Sequence, residues 1–157
     1  MSAATFQRLR HAIFEYLSVR ETLTGTAGRL GPPDDPSIYP HAAPKSATAA
    51  PGFVHVVFKR NDEPRQRTLT ATRGLRSAMF DFEVWGDDSH AVEAVTEALR
   101  DALEAFRGDF GNVSVRAVTL EGEVDDAARP EDGSDELWFV TVLSATFAYQ
   151  VLNDGGG

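Results

Sequence analysis

Two carboxylates one residue apart, Asp81 and Glu83, come closest in this chain to a catalytic pattern. Side chains alternate along an extended backbone, so the two acids face the same way. With Asp87 and Asp88 nearby, such a set could hold a divalent cation for metal-assisted hydrolysis. Nuclease patterns of this kind usually add a nearby lysine, and neither Lys45 nor Lys59 follows the pair. A solvated or interface face is therefore the preferred reading. The four histidines, His11, His41, His55 and His90, include no i, i+4 pair, and no cysteine can complete a zinc site. Gly25-x-x-Gly28-x-x-Gly31 lacks the Gly-Lys-Ser/Thr of a phosphate loop and does not join a strand to a helix. No serine sits in a nucleophile elbow. Trp85 and Trp138 lie on or beside strands, where packing is expected before base stacking. The expectation is a non-enzymatic protein with no catalytic residue, no metal and no cofactor.

The elements that carry these residues can be read from periodicity. Phe6, Leu9, Ile13, Tyr16 and Leu17 recur at helical spacing, which predicts an amphipathic helix over about 3–20. Residues 21–52 follow with six prolines and little periodicity, a long arm anchored at Ile38-Tyr39-Pro40. The run 53–58 predicts a strand buried on both faces. A further extended piece over 65–72 follows, then a strand over 76–85 with Phe80, Phe82 and Val84 on one face. Asp87-Asp88-Ser89 forms an N-cap cluster before the apolar stripe Val92, Val95, Leu99, Leu103 and Phe106, giving a helix over 89–107 capped by Gly108. Strands over 113–120 and 137–151 close the chain, with an acidic loop over 121–136 between them. The predicted fold is a single two-layer α+β domain over 1–157. It has a mostly antiparallel sheet of four to five strands and two helices on one face.

Composition narrows the function classes. The chain has 157 residues, no cysteine and a net charge of −9. That charge argues against a protein that coats nucleic acid, which needs a concentrated positive surface. No run is long and apolar enough for a membrane span, and no signal-peptide core opens the chain. Synthesis in the cytoplasm without membrane association is expected. Thirteen of the fifteen basic residues are arginine, the side chain that pairs carboxylates through two parallel hydrogen bonds.

The charges are unevenly spread. Residues 59–76 carry Lys59, Arg60, Arg65, Arg67, Arg73 and Arg76 against Asp62 and Glu63, a local +4. Residues 121–136 carry Glu121, Glu123, Asp125, Asp126, Glu131, Asp132, Asp135 and Glu136 against Arg129, a local −7. Two solvated loops would account for this. The sharper expectation is that the segments meet across a head-to-tail contact between identical subunits, which closes into a ring when the rotation permits.

The succession of motifs resembles the tail-terminator, or tail-completion, proteins of long-tailed bacteriophages. The likeness lies in the first helix, Ile38-Tyr39-Pro40 with Ala43-Pro44, and Pro51-Gly52-Phe53-Val54 entering a strand. It continues through Phe80-Asp81-Phe82-Glu83-Val84-Trp85 running into Asp88-Ser89-His90-Ala91-Val92-Glu93-Ala94, and a final strand from Phe139 to Tyr149. It spans about residues 5–150. The proline-rich arm and the acidic connection depart from the pattern. The resemblance implies a virion protein of the tail or neck: a hexameric ring on the tail tube protein that ends its polymerisation and meets the head–tail connector proteins. DNA would pass through its lumen without specific binding. The expected subunit contacts are Arg60, Arg65, Arg67, Arg73 and Arg76 with Glu121, Glu123, Asp125, Asp126, Asp135 and Glu136, and an arm contact at Ile38, Tyr39 and Pro40. Other readings are another neck protein of a phage or gene-transfer agent, a small homodimeric regulatory partner, or a cytoplasmic metal-dependent enzyme or ligand-binding domain using Asp81 and Glu83.

Overall fold

A computed structural model describes residues 2–61, 75–129 and 136–152, with side chains from residue 9 onward. The predicted extended piece over 65–72, with Arg65, Arg67 and Arg73, lies outside the described residues, as does Asp135. The chain is α+β. Helix α1 (Ser2–Ser18) leads into the arm, which contains strand β1 (Ile38–Pro40) and a short 3-10 turn at Lys45–Thr48. Strands β2 (Val54–Asn61) and β3 (Leu75–Gly86), helix α2 (Ser89–Glu104), and strands β4 (Gly108–Phe110), β5 (Val113–Ala128) and β6 (Trp138–Val151) follow. The strands form one mixed sheet in the order β1-β2-β3-β6-β5-β4.

Six strands replace the expected four to five, and both additions come from short segments with weak periodicity. β1 pairs parallel with β2, Ile38 opposite Val56, which is possible because the chain between them is long enough to cross over. β4 pairs with β5 through a two-residue turn whose first residue, Gly111, takes φ +63. α2 stops at Glu104, with Ala105 as its cap, so Gly108 opens β4 and does not cap the helix. At the other end Asp88 caps α2 as expected, its carboxylate accepting from the His90 amide at 3.2 Å.

The largest correction concerns the acidic loop. Glu121–Ala128 is strand, pairing with β6 as far as Ala128 opposite Trp138. Register shifts around Arg116 and Glu121 break the alternation that would have revealed a single sixteen-residue strand. Its outer half is exposed nearly throughout, so no apolar face marks it in sequence.

One core holds the layers together. Phe58, Phe80, Phe82, Phe147 and Tyr149 on the sheet meet Leu9, Ile13 and Leu17 of α1 and Leu99, Leu103 and Phe106 of the α2 region, all buried. Tyr16 stacks on Phe106 at 4.1 Å between ring centroids, and its hydroxyl donates to the Ala102 carbonyl at 2.8 Å, fixing α1 against α2. The alternation of Phe80, Phe82 and Val84 inward is as expected. The arm is tied down more firmly than one anchor implies. Leu23 and Leu30 enter the core beside Ile38, and the loop between them closes through Gly25 N–H to Gly31 C=O at 2.8 Å. A side chain at Gly28 would overlap the Leu23 backbone. Gly28 is therefore required by packing, whereas Gly25 and Gly31 take the positive φ values +81 and +86 that favour glycine.

Candidate functional site

The helix-free face of the sheet carries the two carboxylates. Asp81 accepts from Asn61 Nδ2 at 3.2 Å and from Ser144 Oγ at 2.7 Å. Glu83 pairs with Lys59 at 3.1 Å and accepts from Trp85 Nε1 at 3.0 Å. The β2–β3 register, with Lys59 opposite Asp81, brings in a lysine that sequence order alone hides. Both acids are thus engaged by fixed neighbours. Asp87 is turned away to the Gly52 amide at 2.8 Å, and Asp88 caps α2. Among the described residues no group of three or more His, Asp or Glu is arranged to hold a metal ion.

The histidines are scattered as the spacing implies. His11 faces Glu15 at 3.5 Å on the exposed side of α1, His41 follows β1 with φ +76, and His90 opens α2. His55 is different. It is buried between Tyr39 and Phe53, with its Nδ1 lacking a partner, and burial pushes its pKa down to about 4 against a partial upward pull from Glu83. Trp138 packs edge-on against Phe53, its ring nitrogen likewise buried and without a partner.

The charged residues are spread along the sheet. Arg76, at the start of β3, and Arg60, near the end of β2 and opposite Phe80, are both exposed. They lie near Tyr149, whose phenol is pushed up by burial and drawn back partly by Arg76 and Arg60. At the opposite end, Glu123, Asp125 and Asp126 line an open cleft of about 630 Å³ between β5 and α2. Its helical wall carries Glu93, Glu97 and Arg100. Glu123 is ion-paired with Arg100, and Asp125 accepts from Thr141 Oγ1 at 2.8 Å. Residues 93, 97 and 100 are spaced four and three apart on the wet side of α2, the signal that could have revealed this wall. Glu121 sits at the second register shift of β5, and Glu136 lies just before β6.

Among the described members of the predicted contact set, Arg60 stands level with Leu120, three strands across from Glu121, whereas Arg76 and Asp125 are far apart along the sheet. Asp125 pairs with Thr141, and Val84, nine residues from Leu75, pairs with the same threonine. The acidic corner is thus about 30 Å along the sheet from the start of β3, at roughly 3.3 Å per residue, and two strands across. Of the predicted arm contact, Ile38 is buried in the chain's own core, Tyr39 lies against His55, and Pro40 is exposed.

One edge is left open. β4 covers only Val113–Val115, so from Arg116 to Ala128 β5 has β6 on one side and no strand on the other among the described residues.

No protein-family model and no curated protein sequence matches the chain. A solved structure that carries no functional name aligns with 94% of this chain and 97% of its own at 16% identity and a TM-score of 0.49. That likeness is too loose to bear on function.

Proposed function

We propose that the chain is a structural assembly subunit that joins identical copies head to tail into a ring, and that this ring caps a phage tail tube and meets the head connector. The carrying observation is the spread of charge along the sheet. Arg76 at the start of β3 and the acids at the outer end of β5 lie toward opposite ends of one sheet, an arrangement that suits pairing between copies. Such an interface is heterologous and closes on itself when the rotation between copies divides a circle. The engaged state of Asp81 and Glu83 favours this reading over a hydrolytic one, since each acid already has fixed neighbours. The capping role and the sixfold count come from the resemblance to tail terminators. The acidic balance of −9 suits a channel through which DNA slides, because like charges disfavour phosphate contacts.

Light scattering of the purified chain, alone and with purified phage tail tubes, tests the reading. A closed multimer, or a monomer that becomes a ring on the tube, is the expected result. A compact dimer indifferent to tubes overturns it.

A further inference from the structure

An unpaired strand edge presents a row of backbone N–H and C=O groups that will take up another strand, and proteins normally keep such edges short, bulged or covered. Past its second register shift β5 runs regularly from Gly122, opposite Ser144, to Ala128, opposite Trp138, with no bulge and no proline. Among the described residues no strand lies on its outer side there, and Glu121 to Ala127 are exposed. The stretch is as long as an ordinary strand, so it can hold a full addition to the sheet. Its acids keep two identical edges apart, because like charges brought opposite each other repel.

The side chains beside this edge sort by face. Glu123 opposes Leu143 and Asp125 opposes Thr141, both buried, so the two acids project on the side covered by α2. The cleft of about 630 Å³ opens there, with Glu93 and Glu97 on its helical wall. Those two glutamates stand four residues apart, a spacing at which like charges destabilise a helix. Arg100, the cation on the same wall, is paired with Glu123 instead. With Asp126 the lining holds five carboxylates against one arginine. On the other face of the sheet Val124 stands opposite Val142 and is 65% exposed.

We propose that the edge of β5 from Gly122 to Ala128 docks an extended, basic segment of a different protein, which adds to the six-stranded sheet as a further strand. Side chains alternate along such a segment, so every second one enters the cleft and the others lie beside Val124. The fitting sequence therefore alternates basic with apolar residues. Main-chain hydrogen bonds supply affinity for any strand, and the carboxylates of Glu93 and Glu97 select arginine or lysine at the inward positions. Long basic side chains suit this cleft because their methylene stems can lie on Val92 and Phe139 while their charged ends reach the acids. One subunit offers the whole site, so the inference goes beyond the ring reading and does not depend on it.

The test is fluorescence anisotropy of the full chain with a labelled synthetic peptide that has arginine and valine at alternate positions. The same peptide with every amide N-methylated keeps its charge but has no amide hydrogen to donate, and it should bind about tenfold more weakly or worse. E93Q/E97Q, both exposed positions on α2, should weaken the unmodified peptide by about tenfold. Hydrogen exchange of residues 122–128 should slow by about tenfold in the peptide complex. Equal binding of the methylated and unmodified peptides would reduce the contact to attraction between opposite charges and overturn strand addition. Wild-type affinity in E93Q/E97Q would overturn the role of the cleft, and no binding at all would overturn the site. A peptide that binds the dilute monomer but is excluded from assembled copies would make a second copy the occupant, overturning the different-protein partner. A chain that stays monomeric even on tail tubes, yet binds the peptide, would remove the ring reading and support this one.

Discussion

At the scale of single residues, His55 gives the clearest prediction. Its imidazole is held neutral by burial, with a pKa of about 4 against an ordinary 6.5. Between these values the unfolded chain binds a proton that the folded chain refuses. The stability contributed by the neutral ring is therefore fully present above pH 6.5 and is lost as pH falls toward 4. Urea denaturation at pH 7 and pH 4.5 should give a lower midpoint at the acid value. His55→Phe, which removes the titration, should flatten that part of the difference. Equal slopes for both proteins between those pH values would contradict it. The pairing of Lys59 with Glu83 shows what a linear reading misses at this scale. Lys59 lies 24 positions before Glu83, and only the antiparallel β2–β3 register reveals that they touch. Asp88 as the cap of α2, by contrast, was legible because capping is a local matter.

At the scale of elements, sequence periodicity reported buried faces well and exposed ones poorly. α2 and β3 each bury one regular stripe, and both were read nearly to their ends. β5 past Leu120 buries little, carries two register shifts and is dense in acids, so it read as a loop although β6 pairs with it to Ala128. β1 is only three residues long, and its partner was found by folding, not by pattern. The core where these elements meet should behave as a single unit. Phe147 is fully buried and contacts Phe80, Phe82 and Phe106 across the layers. Phe147→Ala should lower unfolding free energy by about 3–5 kcal/mol, read from chemical denaturation. A loss below about 1 kcal/mol would mean that this ring does not bridge the layers.

At the scale of the whole molecule, the property that matters is the separation of charge. Neither segment is unusual alone, and their opposition was visible in composition. What composition could not supply was where the described charges sit: strand register puts Arg76 at the start of β3, Arg60 opposite Phe80, and Asp125 and Asp126 toward the outer end of β5. If assembly depends on those charges, it must depend on salt. The Debye length falls from about 10 Å at 0.1 M to about 3 Å at 1 M. Raising salt across that range should shift the population toward smaller species by sedimentation, whereas an interface held by apolar burial would be unchanged or strengthened.

The most direct measurement is the molar mass of the chain in low salt over a concentration series, alone and after incubation with tail tubes. The account predicts a closed species at a fixed multiple of 17.1 kDa, sixfold if the tail-terminator likeness holds, formed either free or on the tube end. A species that remains at one or two chains at every concentration, and leaves the tubes unbound, would contradict it.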